Sequence, residues 1–218
     1  MDHAPGQHDH GAGWDHPGHV DWYLGRVEGL KPRLAGEEVL REILPAEPRS
    51  ALDLGCGDGR LTSLVLAARP TVVRAVAVDN SLPMLDRARE RFAADDRVTV
   101  AAWDLAEDLS LLGAFDVIVS GFAIHHLVDA RKATLTAEVA GQLRPGGVFA
   151  NLEIVASATG ALHREFLAAI GREADDAEDR PVDVETQLGW MRQAGLADVD
   201  CLWRWRGMAL LAGRRPAN

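Results

Sequence analysis

Residues 52–60 read LDLGCGDGR, and this short stretch decides the fold. It joins an apolar run, SALDLG at 50–55, to an amphipathic run, RLTSLVLAAR at 60–69, which Pro70 stops. A buried strand, a glycine turn and a helix in that order open a parallel α/β unit. Gly55, Gly57 and Gly59 permit a tight turn and let the backbone come close to a ligand. Asp53 stands at the carboxyl end of the strand, where open α/β sheets hold their ligands.

The same alternation continues on both sides. Upstream, GEEVLREILP (36–45) reads as an amphipathic helix stopped by Pro45. Downstream, VVRAVAVD (72–79) is a strand, and SLPMLDRARERFAA (81–94) is a helix opened by the capping serine Ser81. RVTVAAWD (97–104) and FDVIVSG (115–121) are further strands. ARKATLTAEVAGQL (130–143) is a helix, ended by a turn at PGG (145–147), and VFANLEIVA (148–156) is the fifth strand. Strands so nearly continuous in Val, Ile, Leu and Ala are buried on both faces, which implies a parallel sheet.

The end of the chain differs. Helices at 159–173 and 183–195 flank the acidic loop ADDAEDRPV (174–182). ADVDCLWRW (197–205) and GMALLAGR (207–214) then follow with only a turn between them, so they pair antiparallel. The fold class is therefore α/β: a Rossmann-like, seven-stranded, mostly parallel sheet with helices on both faces and a C-terminal antiparallel hairpin. The expected organisation is a flexible arm at 1–19 and one domain at 20–218, with an insert or cap at about 156–195.

Composition narrows the function. A chain of 218 residues, 47% hydrophobic and 26% charged, suits one domain with a sizeable core. No segment approaches the roughly 20 apolar residues of a membrane span, and the N-terminus lacks the basic-then-apolar profile of a leader. Cys56 and Cys201 are too few for a disulfide scaffold. A cytoplasmic protein without membrane contact, monomeric or homodimeric, is expected. The net charge of −10, from 33 acidic against 23 basic residues, opposes nucleic-acid binding. The most basic stretch, RWRGMALLAGRR (204–215), reads as a strand pair whose arginine stems lie along apolar surface. Five of the eight histidines (His3, His8, His10, His16 and His19) lie in the arm. Their spacing matches no closed zinc pattern and no cysteine joins them. Trp14, Trp22 and Tyr23 end the arm, where aromatics are placed to fold over a ligand as a lid.

Three strand ends converge on one crevice. The second strand ends at Asp79, 20 residues after Gly59, where an acid accepts hydrogen bonds from both hydroxyls of a ribose. The third ends at Asp104, whose carboxylate suits an adenine amino group. A dinucleotide site would want G-x-G-x-x-G with a pyrophosphate over the helix N-terminus. Here the run is G-x-G-x-G followed by Arg60, with an acid before it. A cationic ligand with an amino-acid tail fits that setting better.

LDLGCGDGR, VDNS (78–81), WDL (103–105), FDVIVSGFAIHHL (115–127) and LRPGGVF (143–149), in this order, resemble the class I S-adenosylmethionine-dependent methyltransferases over roughly residues 36–215. The closing hairpin at 198–214 resembles the antiparallel seventh strand of that fold. The resemblance implies S-adenosyl-L-methionine as cofactor and a small-molecule methyl acceptor reacting at O, N or S. It implies that Asp53, Gly55 and Gly57 hold the methionine part, that Asp79 binds the ribose and that Asn80 neighbours the adenine. Asp104 would contact the adenine amino group and Leu105 would add apolar contact. Ser120 and Gly121 would lie beside the sulfonium, and Tyr23 or Trp22 would cover the cofactor. The transfer needs no metal, and none is assigned.

The acceptor side is drawn from Trp22, Glu153, His163 and Trp190, with Arg164, Gln187 and Arg192 beside them. Trp203 and Trp205 alternate along one strand, share a face and read as packing. His125 and His126 follow the fourth strand, where the acceptor must approach. An imidazole with an ordinary pKa of about 6.5 suits proton acceptance. His126 is expected to pack with Leu127, which leaves His125 as the favoured base. Two other readings stand beside this one. Residues 183–205 resemble the tail of the carboxy-S-adenosylmethionine synthases of tRNA modification, and a ligand- or metal-binding protein on the same scaffold needs no catalysis.

Overall fold

The computed structural model describes residues 13–27 and 29–217. Two helices, α1 (Pro17–Val27) and α2 (Lys31–Ile43), lead into an alternating series. The series runs β1 (Ser50–Leu54), α3 (Arg60–Ala68), β2 (Arg74–Asp79), α4 (Leu82–Arg91), β3 (Val98–Ala102), β4 (Phe115–Gly121), α5 (Asp129–Gln142) and β5 (Leu143–Ile154). It closes with α6 (Gly160–Ala169), α7 (Val184–Gln193), β6 (Ala197–Trp205) and β7 (Met208–Arg214). The strands form one seven-stranded sheet in the order β3-β2-β1-β4-β5-β7-β6. β7 runs antiparallel to both β5 and β6, and the other pairs are parallel. The strand order reverses direction between β1 and β4, which opens a crevice at their carboxyl ends.

Alternating side chains of the central strands build two cores. Leu52, Leu54, Val76, Val78 and Ile118 meet Leu135 and Val139 of α5 and Leu188 and Met191 of α7. Ala51, Ala75, Val117 and Val119 meet Leu40 of α2 and Leu61, Leu64 and Val65 of α3. Burying each such Leu or Val contributes roughly 1.5–3 kcal/mol, so the two layers clamp the sheet that carries the crevice. Among the described residues, no helix is long and apolar enough to cross a membrane.

Three departures from the sequence-based expectations have physical causes. The expected arm at 1–19 overlaps α1, which starts at Pro17, a residue whose fixed φ suits a first helical turn; Val20 is fully buried and anchors it. α2 likewise starts at Lys31 rather than 36, because Pro32 sits in its first turn. The PGG turn is a bulge inside β5, between the pairs Phe115–Leu143 and Val117–Val148. A Cβ on Gly147 would stand 2.8 Å from the Arg144 carbonyl oxygen and 2.9 Å from that of Asp116. Both are backbone atoms that cannot swing aside. Gly147→Ala is expected to destabilise the fold by about 1–3 kcal/mol in a denaturant titration.

Candidate functional site

The crevice is built on the turn after β1. Gly55, Gly57 and Gly59 have φ of 66°, 54° and 83°, values that an L side chain rarely adopts. At Gly55 a Cβ would also lie 2.2 Å from that of Ala123. The Cys56 amide donates to the Val78 carbonyl at 2.9 Å, tying the turn to β2. Asp79 then fixes it from the end of β2: one carboxylate oxygen accepts from Gly57 N and the other from Ser81 N, each at 2.8 Å. Burial raises the Asp79 carboxyl above its ordinary range against the pull of these bonds. Cys56 is buried beside Ala77 and Leu85, and its thiol is pushed far up by desolvation, which suits packing and not nucleophilic attack.

The resulting cavity is lined by Gly55, Gly57, Asp79, Asn80, Asp104, Leu105 and Gly121, as the sequence led one to expect, together with Tyr23 and His126. Asp58, Asp79, Asp104 and Glu178 face it against a single arginine, Arg33, so its field favours a cation. Arg33 is itself paired: its Nε donates to Glu37 at 3.0 Å, and Arg60 grips the same carboxylate at 2.6 and 2.7 Å. Burial alone would raise Glu37, but the Arg60 hydrogen bonds and the Arg33 charge outweigh it and hold the group below its ordinary value.

Asp53 lies beneath the turn, 2% exposed. One of its oxygens accepts from Thr62 N at 2.9 Å and Thr62 Oγ1 at 2.7 Å; the other is buried with no hydrogen-bond partner. Burial pushes this carboxyl up to about 7, with the neighbouring Asp79 and Asp58 adding to the rise. An orphaned buried carboxylate oxygen beside an acid-rimmed cavity fits a cationic ligand, as S-adenosylmethionine is. Ser120 is fully buried and donates to the Leu54 carbonyl at 2.8 Å, one residue short of the lining. It therefore braces β4 against β1 and does not face the ligand space.

The segment before α1 straps the rim. Ser81 Oγ donates to the Trp14 carbonyl at 2.6 Å while accepting from Met84 N at 3.3 Å as the cap of α4. Asp21 of α1 pairs with Arg87 of α4. The Trp14 ring meets Tyr23 edge-on at 5.0 Å and His126 at 5.8 Å between centroids. Burial raises the Tyr23 hydroxyl above its ordinary value, against the pull of the nearby Arg33.

A second cavity adjoins the first. Its walls include Trp22, Val27, Leu30, Ile154, Ile170 and Met208. Trp14, Tyr23, Arg33, Phe122 and His126 line both cavities and form the junction. Phe122 holds a φ of 54°, a value uncommon for an aromatic residue.

The two histidines divide here. His125, 4% exposed, donates its amide to Glu153 Oε2 at 3.0 Å, and its Nδ1 lies 2.5 Å from Glu153 Oε1. Its Nε2 faces Asp179 at 3.2 Å. Desolvation opposes its protonation, but the two carboxylates prevail and raise it to about 9. Desolvation and the neighbouring His125 lower His126 to about 4. Burial works against ionisation of Asp179, yet His125 and Arg172 hold it down to about 2. With both ring nitrogens engaged by carboxylates, His125 has no free position for an acceptor's proton. His126 lines both cavities, whereas His125, expected to be the better placed of the two, lines only the second.

The remaining acceptor-side candidates are dispersed. Trp22 lines the second cavity. Glu153 is spent on His125. His163, on α6, pairs with Asp175 at 2.8 Å, and Trp190 is half-buried on α7; neither lines the two cavities. Trp203 and Trp205 pack around Phe166 and Met208, as packing residues should. His3, His8 and His10 lie outside the described residues. Arg33, Phe122 and Asp179 were not singled out from sequence. Only Arg33 carried a signal, its four-residue spacing from Glu37.

Residues 51–147 match the family model described as a methyltransferase domain. Over 119 residues, 55% of this chain and 57% of the relative, the chain is 34% identical to an uncharacterized methyltransferase of Mycobacterium tuberculosis. It is also 34% identical to a trans-aconitate 2-methyltransferase of Variovorax paradoxus, covering 73% of this chain and 59% of the other. The chain thus spans little more than half the length of these curated relatives. Among solved structures it is similar to an O-methyltransferase family protein from Burkholderia thailandensis, with a TM-score of 0.68 at 24% identity, covering 85% of this chain and 57% of that one.

Proposed function

We propose that the chain is a class I S-adenosylmethionine-dependent methyltransferase that moves the cofactor's methyl group to an O, N or S atom of a small molecule. The observation that carries this reading is the pair of joined cavities: one acid-rimmed on the glycine turn, the other aromatic-walled, meeting at Trp14, Tyr23, Arg33, Phe122 and His126.

When bound, S-adenosylmethionine supplies a methyl carbon already activated by its sulfonium. The residues that would hold it are Asp79 for the ribose, Asn80, Asp104 and Leu105 around the adenine, and Gly55 and Gly57 with Asp53 behind them for the methionine part. Gly121 would stand near the sulfonium, and Tyr23 would cover it. The chain's own work is alignment and exclusion of water: the Trp14–Tyr23 pair shuts the junction, and the rigid Phe122 turn sets the approach. His126 is the polar side chain that an acceptor's reacting atom would meet there. The apolar walls of the second cavity favour an acceptor with a flat or hydrophobic body and a polar end, while its arginines, Arg26, Arg33 and Arg172, are already bound to carbonyls or carboxylates.

Calorimetric titration of the full chain with S-adenosylmethionine tests the reading. One-to-one binding is expected; no binding of either this compound or S-adenosylhomocysteine would overturn it. The Asp53 carboxyl adds a pH signature. Its ionised form attracts a cation, so affinity should be full above about pH 7 and fall as the pH drops, by up to about tenfold per unit. Asp53→Asn should flatten that profile, and an unchanged slope in the variant would contradict this assignment.

A further inference from the structure

We propose that His125, His126 and Asp179 form a binding site for a divalent transition-metal ion, with Zn2+ as the probe ion, at the edge of the second cavity. The three donor atoms lie within 4.8 Å of one another. His125 Nε2 is 3.2 Å and His126 Nδ1 is 3.7 Å from the same Asp179 oxygen, Oδ1. A metal about 2.0–2.1 Å from each ligand places ligand atoms roughly 3.0–3.4 Å apart; the two sides that meet at Asp179 Oδ1 are near that range, and the two imidazoles would draw together on binding.

Each ligand is supported from behind in the way metal ligands are. Glu153 takes the Nδ1 side of His125 at 2.5 Å, which fixes the ring and directs Nε2 at Asp179; the incoming ion would replace the Nε2 proton, which is released to solvent. A histidine backed by a carboxylate on its far nitrogen is the usual arrangement at metal centres. Asp179 Oδ2 accepts from Arg172 at 3.1 Å and from Asp176 N at 3.2 Å, which leaves Oδ1 for the triangle. The Arg180 amide donates to the His125 carbonyl at 3.1 Å, docking the loop that carries Asp179 onto the histidines. An independent sign comes from His126: its Nδ1 is buried without a hydrogen-bond partner. A buried imidazole nitrogen left unmatched in an otherwise well-bonded network calls for a ligand.

Two imidazoles and one carboxylate select borderline ions over Mg2+ or Ca2+, which prefer all-oxygen cages. Three protein ligands leave a position open, and all three residues line the second cavity. That position would take an oxygen or sulfur atom of the acceptor. This role rests on the methyltransferase reading, whereas the ion site itself does not.

The test is Zn2+ titration of the chelator-treated full chain by calorimetry, with Co2+ absorption as a second readout of nitrogen and oxygen coordination. To separate this site from any ion taken up by the histidine-rich arm, a variant with His3, His8 and His10 changed to alanine is titrated in parallel. The expected result is one site retained in the arm variant and weakened at least roughly a hundredfold in both Asp179→Asn and His126→Ala. Zn2+ binding that is absent, that disappears with the arm histidines, or that persists unchanged in Asp179→Asn would overturn the proposal. S-adenosylmethionine affinity of Asp179→Asn, measured alongside, should stay as in the parent chain, since Asp179 does not line the first cavity. Cofactor binding that fails in both proteins while Zn2+ still binds would sink the methyltransferase reading alone.

Discussion

Asp79→Ala is expected to lower S-adenosylmethionine affinity by at least roughly a hundredfold while the chain stays folded. The carboxylate has two duties. It anchors the glycine turn through Gly57 N and Ser81 N, and it is the acid placed for the ribose hydroxyls. Hydrogen bonds to a charged acceptor are worth about 1.5–3 kcal/mol each, so losing a pair of them to the ligand costs about 3–6 kcal/mol before any loosening of the turn. The check is titration calorimetry, with a thermal melt to show that the variant retains its fold. Asp79→Asn keeps one acceptor oxygen and should fall between the two. Equal affinity in all three would remove Asp79 from the ligand site.

Glu37→Ala should produce the largest loss of stability. Glu37 is 5% exposed and stands between Arg33, itself 7% exposed, and Arg60. Removing it takes the shared carboxylate away from two guanidinium groups, and breaking such a buried arrangement costs about 3–5 kcal/mol. For a chain of this size that corresponds to a fall of roughly 6–20 °C in melting temperature. The exposed neighbour offers a control on the same helix: Glu38 pairs with Arg41 at 3.6 Å in solvent, and Glu38→Ala should change stability by less than about 1 kcal/mol. Because Arg33 also lines both cavities, the Glu37 variant should lose ligand affinity along with stability. Similar melting temperatures for the two variants would contradict the assignment of the triad as a buried charge cluster.

The parts of this protein that could be read from sequence are those governed by local period and position. Five strands written in nearly unbroken Val, Ile, Leu and Ala, all but the third followed by a helix, announce the parallel sheet, and the short turn at Arg206–Gly207 announces the hairpin. Gly55, Gly57, Asp79 and Asp104 were legible for the same reason: strand ends in this topology point at one crevice. The histidines were not. Their roles depend on Glu153, 28 residues from His125 in sequence, and on Asp179, one of several acids in a loop without periodicity. Nothing local in HHL tells which ring is clamped and which faces the junction. The Pro145–Gly147 bulge escaped for a related reason. Its pairing is decided by the neighbouring β4 and by Arg215, whose amide donates to the Gly147 carbonyl at 2.9 Å. Trp190 shows the limit of residue type: a large aromatic in the insert reads either as a helix-core residue or as a pocket wall, and it stands half-buried on α7 away from both cavities.

The most direct test of the joined-cavity arrangement is a crystal structure of the full chain with S-adenosylhomocysteine. The ribose should rest on Asp79, the adenine beside Asp104 and Leu105, and the sulfur should point to the junction of Trp14, Tyr23, Phe122 and His126. A ligand bound elsewhere, or one whose sulfur faces away from the second cavity, would contradict it.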